Sequence, residues 1–382
     1  MRTIFTFSLT FLLFAVFSAC SQKQFNPEKE KLWNQISGFF SPPEEFQGEY
    51  GEYRSPLKFY NGDSVRSAGD WAKRKEEIKT RWHELMGEWP ELITGQKFEI
   101  IESEERENFI QHKVRFFWLP GEQTEGYLLI PPGDGKKPAV ITVFYEPETA
   151  IGLGNSPHRD FAYQLARRGF VTLSIGTTET TRAKTYSLYY PSIENAQVQP
   201  LSLLGYAAAN AWYALANTGS VDSSRIGIAG HSYGGKWAMF ASCLFEKFAC
   251  AAWSDPGIVF DDTKGSNVNY WEPWYLGYYP PPWTNAWRQT GDLESARGLY
   301  PRLIKEGYDL HELHALMTGR PFLVSGGSSD PPERWIPLNH TIKVNQLFGF
   351  TNLVAMTNRP EHSPNEESNE QIYMFFEYFL GD

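Results

Sequence analysis

The sequence predicts an α/β fold, a mostly parallel sheet covered by helices on both faces, and three observations carry that prediction. Between residues 139 and 358, short and nearly continuous apolar segments alternate with amphipathic ones. Strands buried on both faces read as unbroken apolar runs, and a parallel neighbour is reached only through a crossover, usually a helix. A single glycine-fenced serine turn, "GHSYG" at 230–234, joins one such strand to one such helix. A composition of 41% hydrophobic and 21% charged residues supplies enough apolar material for a core of that size.

Taken in order, "MRTIFTFSLTFLLFAVFSAC" puts one early positive charge before an uncharged apolar run that ends in small residues at Cys20. That is the layout of an export signal over 1–20, and the run is too short for a spanning helix. "FSAC" resembles a bacterial lipobox, which implies lipid attachment at Cys20 and a periplasmic or cell-surface protein held to the membrane by that anchor. A plain secretory signal with a coincidental cysteine is the alternative. Residues 21–45 are polar, contain Pro27, Pro42 and Pro43, and read as a tether.

Residues 46–130 read as a lead-in of one helix and antiparallel strands. "DWAKRKEEIKTRWHELMGEWP" (70–90) sets Trp71, Ile78, Trp82 and Leu85 at helical spacing, with Pro90 as a stop. Residues 97–118 read as a hairpin and 125–132 as a third strand. The core then spans 131–382, with strands at 139–145, 170–176, 225–230, 249–255, 321–327 and 352–358. Helices are expected at 158–169, at 201–219, after the serine turn, and near 333–349. The alternation breaks once, at an insertion over 257–312. Cys243 and Cys250 are equally compatible with a bridge and with two buried thiols.

The spacing of Gly230, Ser232 and Gly234 has a steric reason. A serine on a sharp strand-to-helix turn is strained, and small neighbours let adjacent backbone pass close by. The turn also puts the N–H of Tyr233 at a helix N-terminus, where it can stabilise an oxyanion. A serine hydroxyl is a weak nucleophile until a base takes its proton and an acid orients the base.

These residues, over roughly 130–382, resemble the α/β-hydrolase superfamily, whose nucleophile, acid and histidine follow one another in that order along the chain. The resemblance implies His362, in the loop "NRPEHSPNE", as the base. Two carboxylates compete for the acid: Asp330 in "VSGGSSDPPERW" holds the usual place, and Asp255 in "AAWSDPG" is the alternative one strand earlier. The second oxyanion donor is expected from the backbone of Tyr145 or Glu146. His311 and His314 lie three apart on a helix, but without a third ligand nearby they read as structural, as do His340 and His231.

"GHSYGG" is similar to the serine turn of the prolyl oligopeptidase family, yet too little chain precedes the core to supply that family's β-propeller. Acetyl xylan esterase-like and glucuronoyl esterase-like bacterial carbohydrate esterases fit better, with a lead-in helix resembling "DWAKRKEEI". In glucuronoyl esterases an arginine follows the nucleophile and a lysine stands four residues on. Here Tyr233 replaces the arginine, while Lys236 is in place and is implied to bind substrate.

Aromatics reach 16% of the chain, and the insertion concentrates them: "NVNYWEPWYLGYYPPPWTNAWRQTGD" (267–292) holds Trp271, Trp274, Trp283 and Trp287 among prolines that forbid regular structure. Flat rings on a rigid loop suit the apolar faces of sugars, so Trp271, Trp274 and Trp283 are expected to bind substrate; a self-packed mini-core is the other reading. The reading is therefore an exported serine hydrolase acting on a carbohydrate ester, with no metal or organic cofactor implied. A serine peptidase and a silent glycan-binding lipoprotein are the rivals. A net charge of -10 without a basic run argues against nucleic acid as a partner.

Overall fold

The computed structural model describes residues 26–178, 185, 187–261, 263–264, 270–283 and 295–382. Cys20 and Trp287 lie outside these residues. Among the described residues one sheet runs through the molecule, from β1 (Glu99–Arg106), β2 (Phe109–Leu119) and β3 (Glu122–Ile130) to β4 (Lys137–Phe144), β5 (Val171–Gly176), β6 (Val221–His231), β7 (Cys250–Ser254), β8 (Phe322–Gly326) and β9 (Val354–Asn358). Their spatial order is β1-β2-β3-β5-β4-β6-β7-β8-β9. The first three strands form an antiparallel run whose β3 pairs antiparallel with β5, and β4 to β9 are parallel to one another, as the alternating pattern predicts.

Side chains of a strand alternate between faces, and β4 shows how both faces are buried. Ala139, Ile141 and Val143 join the core beneath α2 (Ala68–Met86), α5 (Pro200–Ala216) and α6 (Tyr233–Leu244). Val140 points the other way, into the core of α4 (Phe161–Arg167) and α10 (Glu366–Leu380). Trp71, Ile78, Trp82 and Leu85 are buried on α2, the stripe expected of that helix. A short α3 (Pro147–Ala150) follows β4, and α9 (Trp335–Gln346) leads into β9.

Two expectations are corrected. The tether assigned to 21–45 is packed structure from Asn26 onward: Asn26 caps α1 (Pro27–Ile36), and Trp33 and Phe40 pack on Tyr378 and Phe379 of α10 at ring-centroid distances of 5.2 and 6.0 Å. Pro27 sits in the first turn, where its missing N–H costs nothing, so it starts a helix here rather than marking a linker. The boundary expected at 130/131 falls inside one sheet, because β3 pairs with β5 through Tyr127 and Ser174. Past its proline-rich part the insertion carries a helix, α7 (Tyr300–Glu306), and the start of α8 (His311–Ala315), the helix expected to hold His311 and His314.

Crossovers leave β4 and β6 in opposite directions along the sheet, which makes the gap between their carboxyl ends a topological switch point. Ligands in such sheets bind in the crevice opened there. Ser232 follows β6, and Tyr145 follows β4.

Candidate active site

Ser232 sits at φ 57° and ψ −114°, a strained conformation for a residue with a side chain. The turn demands its glycines: a Cβ on Gly230 would lie 2.2 Å from the carbonyl oxygen of Gly234, and one on Gly234 would lie 2.0 Å from that of Val143. The Ser232 N–H is tied to the carbonyl of Ser254 at the end of β7, 2.8 Å away.

His362 hangs from the loop between β9 and α10. Its Nε2 lies 2.8 Å from Ser232 Oγ, and its Nδ1 lies 2.6 Å from Oδ2 of Asp255. Asp255 follows β7 in a left-handed conformation, φ 50°. Burial would raise its carboxyl, but the hydrogen bond and charge of His362 and the N–H groups of Ser329 and Asp330 outweigh it and hold the group below the ordinary range. An ionised carboxylate only accepts, so Nδ1 carries the proton and Nε2 is free to accept one from Ser232.

The acid expected at Asp330 is therefore corrected to Asp255. Asp330 is fully buried and turned away from the imidazole, accepting from the N–H groups of Gly257 at 2.7 Å and Ile258 at 2.6 Å. Burial, then the charge of Asp255, pushes its carboxyl up to about 6.

Sequence reasoning missed the group that holds the histidine loop. Arg359, buried just after β9, donates to the carbonyls of Ser325 at 2.9 Å, Ser363 at 2.9 Å and His362 at 2.7 Å, and to Ser254 Oγ at 3.2 Å. Its only signal was an arginine directly after a parallel strand. Ser329, whose Oγ lies 3.2 Å from His362 Nδ1, gave none.

Tyr233 is the first residue of α6, so its N–H stands beside Ser232 at the positive end of a helix. The Tyr145–Glu146 loop runs alongside, because Val143 of β4 pairs with Gly230 of β6. The Tyr145 ring stacks on that of Tyr233 at 4.3 Å and 8°, and its carbonyl accepts from the N–H of Thr178 at 2.8 Å.

Lys236 does not reach out for a substrate, contrary to expectation. It is 1% exposed, donates to the carbonyl of Pro256, and lies 4.3 Å from the Tyr270 ring. Trp271 is likewise corrected: it is fully buried, with its ring 6.0 Å from that of Tyr300. Trp274 and Trp283 are half-exposed, 6.4 Å apart, with Tyr189 5.5 Å from Trp283. They connect to the serine turn through Tyr275, 6.3 Å from Trp274 and 6.4 Å from Tyr233. The insertion thus divides into a packed part and a part that borders the site.

His231, His311, His314 and His340 are structural. His231 packs beside His362 at 4.9 Å with Nδ1 3.1 Å from Ser254 Oγ, and burial holds it well below the usual imidazole range. His311 and His340 donate to the carbonyls of Arg54 at 2.6 Å and Tyr50 at 2.9 Å. His314 is buried against Trp253 at 5.3 Å. No cluster of three or more metal-ligating side chains occurs among the described residues. Cys243 and Cys250 are buried free thiols.

The prolyl oligopeptidase family matches residues 208–303, which hold the serine turn. No curated protein matches the chain. Among solved structures, a glucuronoyl esterase from Solibacter usitatus superposes with a TM-score of 0.65 at 18% identity, covering 87% of this chain and 99% of that one. A carbohydrate esterase family 15 glucuronoyl esterase from Caldicellulosiruptor kristjansonii gives 0.59 at 20%, over 89% and 93%. A putative acetyl xylan esterase from Bacteroides fragilis gives 0.56 at 16%, over 87% of both chains. With the sheet order and the serine turn, these likenesses establish the α/β-hydrolase fold.

Proposed function

We propose that the chain is an exported serine esterase that cleaves an ester on a carbohydrate through an acyl-enzyme on Ser232. The observation that carries the reading is the unbroken hydrogen-bonded chain from Ser232 Oγ through both ring nitrogens of His362 to Asp255, at 2.8 and 2.6 Å. Ser232 Oγ attacks the acyl carbon as His362 Nε2 takes its proton, and Asp255 stabilises the imidazolium that forms. The Tyr233 N–H and the backbone at Tyr145–Glu146 hold the oxyanion. Collapse breaks the acyl–oxygen bond, and His362 gives its proton to the departing sugar oxygen, which leaves as a hydroxyl. Water, deprotonated by the same nitrogen, then releases the acid.

Two things support a carbohydrate ester: the likeness to glucuronoyl and acetyl xylan esterases, and the half-exposed pair Trp274 and Trp283 linked by rings to the serine turn. Tyr233 in place of an arginine favours an acetyl over a uronoyl ester. The apolar run ending at Cys20 supports export and a lipid anchor. The match to the prolyl oligopeptidase family over 208–303 favours a second reading, hydrolysis of a peptide amide.

The test compares the wild-type protein with Ser232→Ala on an aryl acetate, on acetylated and uronoyl-ester glycans, and on peptide amides. The reading expects labelling by a fluorophosphonate and turnover of a glycan ester, both abolished by Ser232→Ala. Turnover of peptides alone moves the assignment to the second reading, and failure to label overturns both.

A further inference from the structure

Beneath the Ser232–His362–Asp255 chain lies a second set of charges that ester cleavage does not itself require. Asp255 and Asp330 each hold the loop that carries the other. Oδ1 of Asp255 accepts from the N–H groups of Gly327 at 2.6 Å, Asp330 at 2.8 Å and Ser329 at 3.2 Å. Asp330 in turn accepts from Gly257 and Ile258, two and three residues past Asp255. The two side chains are 1% and 0% exposed, so two carboxylates share one dry space, where like charges repel strongly.

Lys236 comes in from α6, one helical turn past Ser232, and is itself only 1% exposed. Its Nζ donates to the carbonyl of Pro256, the residue between Asp255 and the N–H groups that Asp330 holds. The rings of Tyr270 and Tyr275 close over the ammonium at 4.3 and 5.5 Å. We propose that Lys236 is a positioning residue: its ammonium is the shared counter-charge of the Asp255–Asp330 pair, and by gripping Pro256 it keeps Asp255 in the left-handed turn from which it orients His362. This rests on the reading of Ser232 as nucleophile.

The electrostatics agree with the geometry. Burial pushes the Lys236 ammonium down to about 7, while Asp330 and Asp255 hold it up. Besides His362 on Asp255, two arginines among the described residues face the pair: Arg334, with Nε 3.7 Å from Asp330, and Arg359 behind the histidine loop. Both stay protonated, and burial raises the Tyr270 phenol well above its usual range. Asp330, pushed up to about 6, is ionised first as pH rises, so on the alkaline side of neutrality Lys236 is the member of this set that changes charge. As pH rises through its depressed pKa, the two carboxylates lose their counter-ion and turnover falls.

The test uses Lys236→Met, Asp330→Asn and the double variant on a simple aryl ester, which offers no sugar hydroxyls for a lysine to bind. Lys236→Met is expected to lower kcat about 100-fold with KM within about threefold. The double variant should regain at least about tenfold over Lys236→Met, because Asp330→Asn removes the repulsion and leaves an amide oxygen to accept from Gly257 or Ile258. The alkaline fall in kcat should be present in the wild type and absent from the double variant. The far-downfield NMR signal of the His362 Nδ1 proton, followed in the same proteins, should vanish in Lys236→Met and return in the double variant. That signal reports the placement of Asp255 even if the chain cleaves no ester, so the two readings fail separately.

A double variant no better than Lys236→Met on both readouts makes the lysine mere packing and overturns the proposal. So does Lys236→Met with normal kcat on the aryl ester and a raised KM for a sugar ester, which makes it a substrate contact. Should Lys236→Met not fold, a folded double variant that retains the downfield proton supports the proposal, and an unfolded one overturns it.

Discussion

His362 reaches past the loop of β8 to the end of β7: its Nδ1 lies 2.6 Å from Asp255, while Asp330, on the nearer loop, faces the opposite way. The choice follows from backbone direction. A left-handed residue at Asp255 turns its carboxylate up toward the histidine loop, where the N–H groups of Gly327, Ser329 and Asp330 fix it. Asp330 commits both oxygens to the turn beneath.

Asp255→Asn should therefore cost about 10⁴ in kcat on a soluble ester, since an amide NH₂ facing Nδ1 favours the wrong imidazole tautomer. Asp330→Asn keeps an acceptor for its turn and should cost at least about tenfold less. Steady-state kinetics on the two variants decide it; the reverse ranking would restore Asp330 as the acid.

The choice between the two carboxylates shows where the sequence stops being legible. The sheet could be read because its strands are apolar on both faces, and Ser232 because its constraint is local: five residues spell the turn. His362 was found through chain order. The acid depends on which of two adjacent loops bends toward the imidazole, and that is set by one φ angle at Asp255. Asp255 also caps backbone, on the neighbouring loop, while it meets His362. The insertion was opaque for a related reason. Without a helical or strand period, nothing in the sequence separates the buried Trp271 from the half-exposed Trp274.

Arg359 should matter to folding and to turnover alike. Arg359→Met would strand the carbonyls of His362 and Ser363 inside the protein and free the histidine loop, while the Ser325 carbonyl keeps the N–H of Asp255. Urea denaturation should show a loss of about 3 kcal/mol. A drop in kcat that persists well below the unfolding transition would mark the effect on His362. Arg359→Lys keeps the charge but not the planar fork, and should recover only part of either.

Acid should destabilise the protein through its buried histidines. Burial pushes His314 down to about 3, and both ring nitrogens lack a partner. The unfolded imidazole titrates near 6.5, so the unfolded state binds more protons between those values, and stability falls as pH drops below about 6.5. At pH 5 this one group costs about 2 kcal/mol relative to pH 8. His314→Phe removes the titration and keeps an aromatic ring against Trp253. Melting temperatures should then fall less between pH 8 and 5 than in the wild type; parallel curves would exclude His314 as a source.

Cys20 lies outside the described residues, and its role can be read by fractionation. If a lipid on Cys20 is the anchor, Cys20→Ser should move the protein from the detergent-dependent to the soluble fraction. No helix among the described residues is long and apolar enough to cross a membrane. Unchanged fractionation would assign the attachment to something other than this cysteine.

The division of the insertion into packed and exposed rings predicts two kinds of tryptophan variant. Trp271 is fully buried with Nε1 3.2 Å from Glu272, so Trp271→Ala should cost about 3–5 kcal/mol of stability whatever the substrate. Trp283 is half-exposed between Tyr189 and Trp274, and its Nε1 donates to the carbonyl of Tyr279 at 2.7 Å. Trp283→Ala should leave kcat and KM for a small aryl ester within about twofold and raise KM for a glycan ester about tenfold, the worth of one sugar–aromatic contact of about 1.4 kcal/mol. Trp274→Ala should behave in the same way, and the double variant should lose less than the product of the two, because both rings serve one sugar. Equal losses on the aryl and glycan esters would mean that the rings only shape the serine turn through Tyr275 and Tyr233, and the aromatic border would then be part of the fold rather than a binding face.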